Sequence, residues 1–259
     1  MKVITFVNQK GGVGKTTTAT AIAYILNTLG QKTLLIDADE QCNSTDLYRA
    51  DIDGVATLYD LILDDDPCTV DEAIQHTEFG DIIAGDPGLN TEDRKLSENR
   101  DYLRLKEKLG SLKGYQYVII DTHPSANPIL YNVLAASDEA YLVINADRFS
   151  VSSASMITDT VIEVKRTINE RLSIAGMILC MFDERLKVNK DFLTEFPSIA
   201  EAIGTKAMNA RIRYTVKCRE AQDMRMPIGA YSPNSGVEKD YEDLVYEMFG
   251  IRSKDNGKK

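Results

Sequence analysis

Ten residues near the amino terminus, Asn8-Gln9-Lys10-Gly11-Gly12-Val13-Gly14-Lys15-Thr16-Thr17, lie between the apolar run Val3-Ile4-Thr5-Phe6-Val7 and an apolar-patterned stretch from Thr18 to Leu29. The order is strand, loop, helix. A loop this rich in glycine turns its backbone N–H groups inward around phosphate oxygens without side-chain clash. It then passes the phosphates to the positive end of the following helix. In such a loop Lys15 reaches the β- and γ-phosphates and the Thr16 hydroxyl ligates Mg²⁺.

The rest of the chain repeats the strand–helix theme. Ala19, Ile22, Ala23, Ile25, Leu26 and Leu29 fall at helical spacing, and Gly30 follows as a stop. An unbroken apolar run predicts a buried strand over Thr33 to Ile36, and Gly80 to Ala84, Tyr117 to Ile120, Ala140 to Ile144 and Ile174 to Met181 are further strand candidates. Helices are expected at Leu58 to Leu63, roughly Glu92 to Leu112, Pro128 to Ala136, Ser153 to Asn169, Asp191 to Ile203 and Val237 to Phe249. Alternation of this kind predicts a doubly wound α/β fold with a mostly parallel sheet and helices on both faces. One domain is expected over residues 1–250, with a polar tail at 251–259, because no Pro/Gly/Ser linker divides the 259 residues.

Composition narrows the function classes. With 40 acidic against 30 basic residues and a net charge of -10, the surface is not broadly basic, although a local basic patch is compatible with that balance. Cys42, Cys68, Cys180 and Cys218 are scattered and His76 and His123 stand apart, so packed thiols fit better than a metal centre. The chain runs directly into its first strand and holds no apolar run near membrane-span length, so a cytoplasmic protein is expected. Asp64-Asp65-Asp66 at a helix end reads as a solvated charge run.

The ordinary phosphate-loop pattern requires a glycine where this chain has Gln9, so the strict motif fails. Lys10-Gly11-Gly12-x-Gly14-Lys15-Thr16 instead resembles the deviant Walker A box of the ParA/MinD ATPases, in which an additional lysine sits near the start of the loop. The resemblance covers nearly the whole chain. It implies ATP contacts from Gly11, Gly12, Val13, Gly14, Lys15, Thr16 and Thr17, and a catalytic role for Lys10 on the nucleotide of a second subunit.

In an open parallel sheet the ligand lies at the carboxyl ends of the strands, so polar residues there are placed for chemistry. Asp37-Ala38-Asp39-Glu40-Gln41 is similar to the family's switch I box, Asp-x-Asp-Pro-Gln, with Glu40 where proline is usual. Asp39 matches the aspartate that positions the attacking water; read without the resemblance, it is equally a turn cap. Val118-Ile119-Ile120-Asp121 has the Walker B pattern and implies Asp121, with Thr16, in the Mg²⁺ shell. Asp121-Thr122-His123-Pro124 is similar to switch II, Asp-x-Pro-Pro, with His123 replacing the first proline.

Toward the C-terminus, Ile212 to Ala221 followed by Met226-Pro227-Ile228 resembles the chromosomal and plasmid ParA pattern. It implies adenine contacts at Arg213 and Thr215, which replace the commoner proline and asparagine. Lys206, Arg211, Arg213, Lys217, Arg219 and Arg225 gather in one window, and Lys217 and Arg219 are the expected contacts to DNA phosphates.

Three branches of the superfamily do not fit. No cysteine lies between Cys68 and Cys180 to hold a bridging iron–sulfur cluster. The segment Arg252 to Lys259 has no apolar face for a membrane helix, and the tyrosines form no terminal cluster. The short, Soj-like ParA type remains. It implies an ATP-dependent homodimer, nonspecific DNA, a ParB-like centromere-binding partner, nucleoid association when ATP-bound, and ATP and Mg²⁺ as cofactors. A related switch that positions another cargo and a nucleotide-binding regulator with negligible hydrolysis both stay open at the level of sequence.

Overall fold

The computed structural model describes residues 1–63, 66–90 and 101–251. Most of the expected tail, part of the helix expected over 92–112 and two of the three aspartates at 64–66 lie outside the described residues.

Apolar strands buried on both sides build the centre. The strands are β1 (Lys2–Val7), β2 (Thr33–Ala38), β3 (Ile74–Thr77), β4 (Gly80–Ile83), β5 (Tyr117–Thr122), β6 (Glu139–Asn145), β7 (Ser173–Phe182) and β8 (Ala207–Arg213). They form one sheet in the order β3-β4-β2-β5-β1-β6-β7-β8. Every pairing is parallel except the antiparallel β3–β4 edge. This is the doubly wound, mostly parallel α/β sheet that the sequence predicts.

The helices that cover it are α1 (Lys15–Thr28), α2 (Asn43–Leu47), α3 (Leu58–Ile62), α4 (Val70–Ala73), α5 (Arg104–Leu109), α6 (Pro128–Ala136), α7 (Arg148–Thr167), α8 (Lys187–Ala202), α9 (Lys217–Asp223), α10 (Ile228–Tyr231) and α11 (Gly236–Phe249). Alternate strand residues serve opposite faces. Ile4, Phe6, Leu35 and Ile119 pack with α1 and α11 on one face. On the other, Val3, Leu34, Ile36, Val118 and Ile120 pack with α3, α5 and α6, while Leu142, Ile144 and Leu179 pack with α7 and α8.

Two strands escape a search for unbroken apolar runs because both are edges. In β3 only Ile74 is apolar, and register against β4 holds it in place. In β8, Met208 and Ile212 are buried while Asn209, Arg211 and Arg213 face out, the alternation of a strand with one wet face. α7 begins at Arg148 rather than Ser153 because Asp147 caps it, accepting the Ser150 N–H at 2.8 Å. The helix expected over 92–112 is, in its described part, a 3₁₀ turn at Asp101–Leu103 followed by α5. Among the described residues no helix is long and apolar enough to cross a membrane.

Candidate nucleotide site

The strand order brings three loops together. β1 lies between β5 and β6, and β2 lies beside β5 with Asp37 opposite Asp121. The loops that leave the carboxyl ends of β1, β2 and β5 therefore share one crevice, where ligands of such sheets sit. The first of these loops demands glycine on backbone grounds: Gly12 and Gly14 have φ of 71° and 102°, and Gly14 occupies the position just before α1. Asn8 fixes the loop from behind. Its Nδ2 donates to the Val143 carbonyl at 2.7 Å, and its Oδ1 accepts the Lys10 N–H at 2.8 Å. No motif pointed to Asn8; its signal was only its place at the end of a buried strand.

Lys15 is 6% exposed, and burial lowers its pKa against the opposing pull of Asp121 and Asp39. Its Nζ donates to the Lys10 carbonyl over a long 3.4 Å. A buried ammonium so weakly bonded is suited to an anion. Asp121 is fully buried and accepts a hydrogen bond from Ser44 Oγ at 2.8 Å, and the nearby Thr16 hydroxyl favours its charged form. Asp37 accepts both the hydroxyl (2.7 Å) and the N–H (2.8 Å) of Thr45, and it bonds the Asp39 N–H at 3.2 Å. Burial pushes both carboxyls up, and for Asp37 the charge of Asp121 adds to it. Asp37 stands in the switch I box without an assigned role, and Ser44 and Thr45, which bond the two buried carboxylates, were marked by no motif.

Gly11, Gly12, Lys15, Thr16, Asp39 and His123 line a cavity of about 480 Å³. It shares Gly14, Thr17, Met181 and Gln222 with a smaller pocket of about 150 Å³ walled by Cys180, Ile212, Tyr214, Val216 and Tyr241. The larger space is polar and has the character of a phosphate site; the smaller is apolar and has that of a base site. Burial holds the Cys180 and Cys218 thiols up at about 12 and about 11, so both remain protonated wall residues.

Arg213 and Thr215 both border the smaller pocket. The Arg213 guanidinium is gripped by both Asp240 carboxylate oxygens at 2.7 Å. The Thr215 hydroxyl accepts the Lys217 N–H at 3.3 Å.

Lys10 lies outside the cavity lining. Its ammonium is bound to the Asp147 carboxylate and, at 3.5 Å, to Asn145. Lys217 and Arg219 open α9; Lys217 donates to Ser232 Oγ at 2.8 Å, and Arg219 borders the base pocket. The remaining basic window is partly committed. Arg213 and Arg225 pair with Asp240 and Asp46, and Arg211 lies over the Phe182 ring.

Residues 1–174 match the family model described as an AAA domain, AAA_31. The chain is 31% identical over 254 residues to the chromosome partitioning protein ParA of Caulobacter vibrioides, covering 96% of this chain and 94% of that one. It is 32% identical to the sporulation initiation inhibitor protein Soj of Bacillus subtilis, covering 95% and 98%. Its fold superposes on the ATP complex of Cyanothece McdA(D38A) with a TM-score of 0.85 over 98% of both chains, at 23% identity.

Proposed function

We propose, for a chain that belongs to the ParA/MinD-type family of partition ATPases, that residues 1–250 act as one nucleotide switch. ATP draws two copies into a sandwich dimer, the dimer holds duplex DNA of any sequence, and hydrolysis releases it. The observation that carries the reading is a buried lysine, Lys15, which lines a glycine-walled cavity together with Asp39 and is drawn by the charges of Asp121 and Asp39 at the carboxyl ends of β2 and β5.

The residues fit a nucleotide triphosphate and Mg²⁺. The loop N–H groups and Lys15 take the phosphates, and the apolar pocket beside Thr215 takes the base. The Thr16 hydroxyl and Asp121 carboxylate are hard oxygen donors of the kind Mg²⁺ selects, close enough that the hydroxyl favours the carboxylate's charged form. Bound there, the cation would neutralise phosphate charge as the bond to the γ-phosphoryl group breaks. Asp39, on the adjacent loop, orients the attacking water. Lys10 is not among the residues that line its own cavity and its ammonium is held by Asp147, which supports a role on the partner's nucleotide, like a cation supplied in trans.

DNA binding rests on Lys217 and Arg219, which carry no ion pair among the described residues. On a chain of net charge -10 such a patch is weak in a monomer and doubled in a dimer. A ParB-like DNA-binding protein is the expected partner, by analogy with the partition relatives, and a nucleoid-bound cytoplasmic pool the expected location.

The test is ATP-dependent dimerisation and duplex binding by the full chain at several salt concentrations. Binding with ATP but not ADP is expected. Lys217→Ala and Arg219→Ala should each lower the slope of log affinity against log salt by about 0.9. An ATP-bound dimer with no DNA affinity at low salt would redirect the switch to another cargo.

A further inference from the structure

Glu40 and His123 stand at the two positions where the switch patterns carry proline, and they are bonded to each other: His123 Nε2 lies 2.9 Å from Glu40 Oε1. The topology makes this contact available. Ala38 and Thr122 are register partners on the adjacent parallel strands β2 and β5, so the two loops leave the sheet side by side. Both side chains are largely withdrawn from water, at 11% exposure for Glu40 and 21% for His123. The other imidazole nitrogen, Nδ1, lies 2.5 Å from Ser125 Oγ. A neutral ring satisfies every group in this chain: Nε2–H donates to Glu40, and Nδ1 accepts from the Ser125 hydroxyl.

Proline stiffens a loop locally by fixing φ. With both prolines absent, each loop gains backbone freedom, and the side-chain bond restrains one loop against the other instead. Asp39 belongs to the same group of atoms: one carboxylate oxygen of Asp39, one of Glu40 and one ring nitrogen of His123 lie within 4.8 Å of one another. Without His123, the Glu40 carboxylate beside Asp39 would lose the Nε2–H that holds it in place. Among the described residues the Asp39 carboxylate accepts one hydrogen bond, from the Gln41 N–H to its Oδ1 at 2.9 Å. His123 lines the cavity, and Glu40 is not among its lining residues.

We infer that Glu40 and His123 form a tie between the loops after β2 and β5, in which His123 is a positioning residue for Asp39 and Glu40 is its anchor. The inference rests on the ATPase reading above. The tie makes the carboxylate that orients water and the loop that follows the metal-binding Asp121 move as one unit.

The experiment is a double-mutant cycle on the full chain, with steady-state ATPase rates and, separately, equilibrium binding of a fluorescent ATP analogue. Glu40→Ala and His123→Ala are each expected to lower kcat roughly tenfold with KM and analogue affinity within about twofold, because only the geometry of Asp39 is loosened. The double variant should resemble either single one, since the second change removes an interaction already lost. Glu40→Gln, which keeps an acceptor for Nε2–H, should retain turnover within about threefold of wild type.

Multiplicative losses in the double variant, or losses confined to KM, would overturn the tie. So would tight stoichiometric binding of Zn²⁺ by the nucleotide-free protein that disappears in His123→Ala, which would make the cluster a cation site. A second readout is independent of turnover: the ¹⁵N spectrum of the imidazole should place the proton on Nε2 and change in Glu40→Ala. If wild type binds the analogue without hydrolysing it, the ATPase reading fails. The tie is then judged on that spectrum alone, and a spectrum indifferent to Glu40→Ala overturns it.

Discussion

The two ends of the cavity are built differently. At the phosphate end, Lys15, Asp37, Asp121, Ser44 and Thr45 are buried on or beside central strands, and each is hydrogen-bonded within the crevice. At the base end, much of the wall comes from the edge strand β8, the loop after it and the short helix α9, and one of its two arginines, Arg213, is committed to Asp240 on α11. The difference separates what a backbone scaffold imposes from what side chains supply. Glycine dihedrals and strand register fix the first end, so single substitutions there are expected to remove a function outright. Apolar contact shapes the second, so substitutions there adjust affinity by small steps.

The sharpest break in that comparison is expected from the two lysines. Lys15→Ala should abolish ATP binding in equilibrium titration, because the buried cation facing the phosphates is gone. Lys10→Ala should bind ATP yet fail to dimerise in light scattering, with turnover down by roughly 10³ or more, the scale of a cation acting in trans. Equal loss of affinity in both variants would show that Lys10 serves its own cavity after all. Asp39→Ala comes next: turnover should fall by roughly 10² or more while ATP affinity and the dimer persist, a pattern read from single-turnover kinetics.

A stability effect should follow from the helix that backs the base end. Glu238 on α11 is 7% exposed, and its Oε2 is buried without a hydrogen-bond partner. Burial, and then the charge of Glu242, raise its pKa from 4.5 to about 7. The folded chain therefore holds this proton at pH values where the unfolded chain has lost it. The associated stability is fully present below 4.5 and is lost as pH rises through about 7. Glu238→Gln should flatten that fall and stabilise the protein at pH 8 by up to about 3 kcal/mol, measured as urea midpoints across pH. Coincident wild-type and variant curves would remove Glu238 as the cause.

The smallest effect is expected at Arg213. Because Asp240 already occupies the guanidinium, Arg213→Ala should change ATP affinity by less than about tenfold, on the order of 1 kcal/mol. A loss as large as that of Lys15→Ala would erase the distinction between the two ends.

Much of the phosphate end was legible in the sequence. The glycines, Lys15 and Thr16 follow from strand–loop–helix order, Asp39 and Asp121 stand after buried apolar runs and take their roles from the resemblance, and the structure brings all of them to one crevice. The base end was legible only through resemblance. β8 alternates apolar with charged residues and gives no apolar run, and Arg213 reads the same in sequence whether it meets a nucleotide or Asp240.

The sequence by itself determined the elements whose signal is local: the strand period, the helix period, and the glycines that a left-handed backbone requires at Gly12 and Gly14. Tertiary structure alone decided the pairings. Lys10 meets Asp147, 137 residues away, and Ser44 meets Asp121 across 77. Glu40 and His123, each read alone as an irregularity in its loop, become partners because β2 and β5 lie side by side. Local periodicity records which face of an element is buried, but which distant side chain shares that face is set only when the strands take their order in the sheet.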